Sequence, residues 1–162
     1  MITRKEQKQA IAFTKKQFKA LLKAVFLGNW MANAYRVDDI KKDYENIEDY
    51  IFSLAPQFGF DKYMNHEDSD GDKYYPTSSF EETTDVHMLH EAYDEENFWD
   101  ELADRLGERD FFERYSADEI QKMSREEYFD ILSDCVDAYH EEFEKFGLER
   151  IRVSGKKYVE YN

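Results

Sequence analysis

His87 and His90 stand three residues apart with Glu91 beside them, a spacing that could do metal chemistry. On a helix, positions i and i+3 share a face, so two imidazoles there are placed to hold one transition-metal ion with a carboxylate as neighbour. Asp137 and His140 repeat the spacing farther along. Carboxylate-bridged metal bundles need Glu-x-x-His twice and two further Glu, and the first pair lacks its carboxylate at that offset. The sequence therefore offers His87, His90 and Glu91 as a divalent-metal site, against the plainer reading of histidines paired by chance among four in 162 residues.

The run Glu67-Asp68-Ser69-Asp70-Gly71-Asp72 invites a calcium reading but fails the EF-hand template. With Gly71 at loop position six, His66 falls first and Thr77 last, where an acid and a bidentate Glu belong. Alternating Asp68, Asp70 and Asp72 leave weak binding of a hard cation as the residual expectation, beside a solvated acidic loop. Nucleophilic chemistry has little to stand on. Cys135 lies on an apolar helical stripe, where an inert buried thiol is the default. There is no Gly-rich phosphate loop and no Gly-x-Ser-x-Gly. Glu101, between Trp99 and Leu102, is the acid best placed for apolar burial and a raised pKa. No catalytic residue is assigned, and no cofactor is implied beyond a divalent metal.

Charge is divided along the chain. Residues 1–24 carry seven basic residues and one acid, net +6, and the other 138 residues carry net −21. At about 100° per residue, Lys8, Lys15, Lys16, Lys19 and Lys23 fall on one arc of a helix, a lysine stripe. The acidic remainder opposes nucleic-acid binding by the stripe. Three readings follow: the stripe docks on the chain's own body, it docks on another copy in a homodimer, or the acidic body engages an external basic partner. A phosphate-mimicking inhibitor of a DNA-binding protein is the narrow form of the last.

The elements that would position these residues read as helices. Residues 4–35 form a long first helix whose charge-free half, from Ala24, is expected to be buried on all sides. Val37, Ile40, Tyr44, Ile47, Ile51 and Leu54 form the stripe of a second helix over 37–55, with Glu48 and Asp49 facing out. Residues 57–78 read as a long loop with room for a short extended piece. Ser79 with Glu82, Ser116 with Glu119, and Ser124 with Glu127 are capping boxes. Asp94 is expected to cap a helix that buries Phe98 and Trp99 and stops at Gly107, and Gly147 to end the last long helix. Residues 151–161 suit a small β-hairpin.

The fold class expected is all-α: an irregular bundle of five to seven helices around a long N-terminal helix, in one domain over 1–162. Ample aromatic residues argue against disorder. A single cysteine suits a reducing compartment, and the Lys-interrupted N-terminus does not read as a signal peptide, so a cytoplasmic location is expected. No apolar run approaches the roughly 18–20 residues of a membrane span. The function expected is non-catalytic: an acidic interaction or regulatory module that engages a basic partner or another copy of itself. The alternatives are a metal-binding bundle or metal-dependent enzyme using His87 and His90, and the DNA mimic.

Overall fold

The computed structural model describes residues 9–68 and 71–152. These form six α-helices and one two-stranded antiparallel sheet, a mostly helical architecture of the expected class. Contacts gather into two compact units, Met1–Glu91 and Ala92–Asn162. Among the described residues, no helix is long and apolar enough to cross a membrane.

In the first unit, α1 (Lys15–Asn33) opens with a capping box. The Thr14 hydroxyl accepts from the Gln17 backbone N–H, and the Gln17 side chain accepts from the Thr14 backbone N–H. That cap, unnoticed in the sequence, moves the expected start from residue 4 to Lys15; residues 9–14 are not helical. Lys8 lies outside the described residues. The burial of α1 is also displaced. Phe18 and Leu22, in the lysine-bearing half, are fully enclosed, whereas Val25, Phe26 and Leu27 in the charge-free half are only partly covered.

Helix α2 (Lys42–Ser53) is shorter than expected. Asn33 closes its approach: Lys41 N–H donates to Asn33 Oδ1 at 2.8 Å, and Asn33 Nδ2 donates to Lys41 C=O at 3.2 Å. The helix is also rotated from its apparent stripe. Val37, Tyr44 and Ile47 are 86%, 49% and 45% exposed, and the buried side chains of α2 are Glu48, Ile51 and Phe52. Two short 3-10 turns, Ala55–Phe58 and Asp61–Tyr63, follow. Gly59 joins them at φ 70°, a left-handed conformation that favours glycine.

The expected loop is largely a hairpin. Strand β1 (Met64–Glu67) pairs with β2 (Lys73–Pro76), with His66 opposite Tyr74 and Glu67 opposite Lys73. Helix α3 (Ser78–Thr83) is capped by the Thr77 hydroxyl on Phe80 N–H, not by Ser79. Phe80 centres the core, with edge-on ring contacts to Phe26 at 5.5 Å, Phe52 at 5.2 Å and Tyr63 at 5.5 Å.

Helix α4 (Val86–Arg114) is continuous over 29 residues. Asp94 does not cap it and Gly107 does not stop it. In the second unit its length is followed by α5 (Ala117–Ile120) and α6 (Arg125–Phe146), both with the expected Ser-Glu capping boxes, and Gly147 ends α6 as expected. Trp99 meets Phe143, Gly107 meets Val136 and Phe111 meets Tyr128, so α4 and α6 run in opposite directions. Phe98, expected inside, is 48% exposed. The expected C-terminal hairpin falls mostly on residues 153–162, outside the described residues.

Candidate functional site

The first candidate is the lysine stripe, and three of its members turn inward on their own unit. Lys15, Lys19 and Lys23 recur every four residues and so form one column of α1. Lys15 Nζ lies 5.0 Å from the centre of the Phe60 ring and Lys19 Nζ 5.7 Å from that of Tyr63. Lys23 Nζ reaches both oxygens of Asp85, at 2.8 and 3.1 Å. The Lys23 bond holds the Asp85 carboxyl below its ordinary range. A bond from the Thr83 hydroxyl, aided by the charges of Lys19 and Lys62, holds the Tyr63 phenol down as well. Lys16 is exposed and faces away from this column.

The histidines at the start of α4 are brought together. His87 Nδ1 lies 3.2 Å from His90 Nε2, and His87 Nε2 lies 3.2 Å from Glu91 Oε1. The His90 ring is stacked on Trp30 with centroids 4.8 Å apart. Glu91 thus sits on the nitrogen of His87 that points away from His90, where it orients the ring. His140 is 4.0 Å from Asp100, while Asp137 accepts from Ser133 on its own helix, so the second spacing does not gather its two members. On the hairpin, His66, Asp68 and Asp72 bring ligand atoms within 4.8 Å of one another. The His66 ring stacks on Tyr74. Ser69 and Asp70 lie outside the described residues.

Glu48 is the functional candidate that the sequence reading missed. It is 9% exposed, and among the described residues it is the only buried charged side chain. Asn29 Nδ2 donates to Glu48 Oε2 at 2.6 Å, and Asn33 Nδ2 donates to Asn29 Oδ1 at 2.7 Å, so the carboxyl ends a chain of amides running back to Lys41. Desolvation pushes its pKa from 4.5 to about 7; the Asn29 bond opposes this, and Glu45, Asp49 and Glu81 add repulsion. The side chain borders a cleft of about 280 Å³ shared with Asp49, Lys73, Tyr74 and Tyr75. Asp49 is held there by the Tyr74 backbone N–H at 2.7 Å. A carboxyl that titrates near neutrality is fitted to exchange protons. Hydrophobic periodicity could not find it, because Glu48 stands off the regular Ile47–Ile51–Leu54 stripe, and folding buries Ile51 together with the Glu48–Phe52–Ala55 line. Glu101, the expected acid, is exposed and bonded to Arg105 at 2.9 Å.

The second unit contributes a cleft and a charged face. The cleft, about 510 Å³, is lined by Asp110, Arg114, Ile131, Asp134, Cys135 and Tyr139 among others. Tyr139 donates to Asp110 Oδ2 at 2.6 Å while Arg109 bonds Asp110 Oδ1, and these two donors hold the Asp110 carboxyl below its ordinary range. Burial, then the bond to Asp110, pushes the Tyr139 phenol up. Cys135 is buried, as its apolar stripe implies. Along α6, Asp130, Asp134, Asp137, Glu141 and Glu144 are all exposed. Their 4–3–4–3 spacing confines them to about 80° of arc over about 21 Å. Among the described residues one cation, Lys145 on Glu141 at 3.4 Å, forms an ion pair with this row. No protein family, curated protein or solved structure matches the chain.

Proposed function

We propose that the protein is a non-catalytic interaction module whose acidic second unit engages a basic partner surface. The observation that carries the reading is the row of five exposed carboxylates on α6, nearly unopposed by cations. Residues 92–162 hold 21 acidic and 10 basic residues, net −11, against net −4 for residues 1–91. Phe129, 52% exposed, stands beside the row, with the Arg125 guanidinium 5.6 Å from its ring centre. Pairing between copies through the lysine stripe is less favoured, because Lys15, Lys19 and Lys23 already serve their own unit.

The test is titration of the protein with fluorescent oligolysine at low and high salt. Asp130→Asn, Asp134→Asn and Asp137→Asn together should weaken binding about tenfold or more and flatten its salt dependence. Equal binding by the triple variant would end the reading. Sedimentation of a variant with Lys15, Lys16, Lys19 and Lys23 replaced by Gln examines the homodimer alternative: the sedimentation coefficient should stay unchanged. The DNA-mimic form adds one requirement, that duplex DNA compete with the protein for the partner it captures.

A further inference from the structure

We infer that His87 and His90, with a carboxylate from the Glu81–Glu82 face of α3, form a binding site for one divalent transition-metal ion of the zinc class. The two imidazole nitrogens that face each other are 3.2 Å apart. Two ligands on a tetrahedral ion with bonds of about 2.0–2.1 Å are separated by about 3.3 Å, so little movement converts the contact into coordination. Both rings are already set for it. Glu91 is an acceptor only, so the His87 Nε2 beside it carries the proton and His87 Nδ1 presents its lone pair toward His90. That is the carboxylate–histidine arrangement that orients a ligating ring from behind. His90 is fixed by its stack on Trp30. Its Nδ1 is buried without a partner, which leaves Nε2, the atom facing His87, as its ligating nitrogen. Ion binding moves the proton that now lies between the two rings from His90 Nε2 to His90 Nδ1, the tautomer in which both facing nitrogens present lone pairs.

The third ligand comes from across the bend between α3 and α4. Ser78, Glu81, Glu82 and His87 line one cavity of about 240 Å³. Glu82 forms no hydrogen bond or ion pair with any described residue, and neither it nor Glu81 brings a carboxylate oxygen within 4.8 Å of both imidazole nitrogens, so the third ligand must swing in across the cavity as the ion binds. Two imidazoles and one carboxylate make a ligand set suited to zinc, nickel or cobalt, with water completing the shell. The site would staple α3 to the first turn of α4. Glu91, adjacent in sequence, takes the supporting role and not that of a ligand. The His66–Asp68–Asp72 group has more carboxylate character and a ring stacked on Tyr74, and it serves as the internal rival.

Zinc titration of the full chain by calorimetry, with cobalt absorption as a second readout, tests the site. The expected result is one equivalent of Zn2+ and the intense visible absorption of four-coordinate Co2+. His87→Gln should abolish both signals; His87 is exposed, so the fold is not at stake. Glu81→Gln with Glu82→Gln should weaken binding at least tenfold, and Glu91→Gln should weaken it about 10–100-fold while keeping one equivalent. His66→Gln should change nothing. Absence of zinc binding, survival of the signal in His87→Gln, or its loss in His66→Gln would each overturn the assignment.

Discussion

The two units differ in where their charges go. The first encloses nine residues in one cluster built mainly of aromatic rings, and it turns three lysines of α1 onto its own rings and Asp85. The second buries Ala103, Phe111, Cys135 and Phe143 between two long helices and leaves most of its carboxylates in solvent. The first turns its stripe lysines onto itself; the second ties Asp110 to Tyr139 and Arg109 but leaves the α6 row exposed. The division between basic arm and acidic body seen along the chain thus becomes a division between a scaffold and a surface.

The largest effect should come from the ring cluster. Phe80→Ala removes a fully buried side chain whose ring neighbours come from α1, α2 and the turn before β1, and should cost about 3–5 kcal/mol in urea unfolding. Phe111 is equally buried, but of its ring neighbours only Tyr128 comes from another helix, while Phe112 and Tyr115 stand beside it in the chain. A side chain with one ring neighbour from another helix, next to an open cleft, leaves a space more free to collapse, so Phe111→Ala should cost about 1 kcal/mol less. Equal costs would break the contrast between a deep core and a shallow one.

Glu48 is where the first unit departs from economy, and its effect is next in size. Its folded-state pKa is raised from 4.5 to about 7. The folded state therefore prefers the protonated acid, and wild-type stability falls as pH rises from 4.5 through 7, then levels off. Glu48→Gln keeps an acceptor for Asn29 and removes the titration. The two proteins should be nearly equal in stability at pH 4.5, and the variant more stable by about 2–3 kcal/mol at pH 8. A constant difference across that range, measured by urea unfolding at both pH values, would show that Glu48 ionises freely in the folded chain. It would also remove the case for Glu48 as a proton-exchanging group.

Much of this architecture was legible. Helical content, the boxes at Ser116 and Ser124, the burial of Cys135 and the stop at Gly147 follow from local signals that tertiary structure did not oppose. The misses share a cause. Thr14 with Gln17 is a capping box whose third residue is Gln, hidden inside an uninterrupted helical pattern. On α2 only Ile51 of the apolar stripe is fully buried, beside a line containing Glu48, because Asn29 was waiting to satisfy the carboxyl. Of the candidate sites, the His87–His90 spacing was visible, but the role of Glu91 depends on which ring nitrogen it meets, and spacing does not encode that.

The two mid-helix glycines carry the comparison to its finest scale. A glycine inside a helix invites a close-approach or a helix-stop reading; neither holds at Gly28, and close approach holds at Gly107. A Cβ on Gly28 would meet nothing within 4 Å, whereas one on Gly107 would lie 2.7 Å from Val136 Cγ2 and 2.8 Å from its Cα. Alanine is worth up to about 1 kcal/mol over glycine in a helix interior. Gly28→Ala should therefore stabilise the first unit by up to about 1 kcal/mol. At Gly107 the same gain is opposed by backbone atoms of α6 that have no rotamer to escape into. Overpacking of that kind costs about 1–3 kcal/mol, so Gly107→Ala should lower stability by about 1–2 kcal/mol net. Stabilisation by both substitutions would mean that α4 and α6 pack more loosely at this crossing than the Val136 contact requires, and the second unit would then owe even less to its interior than its four buried side chains indicate.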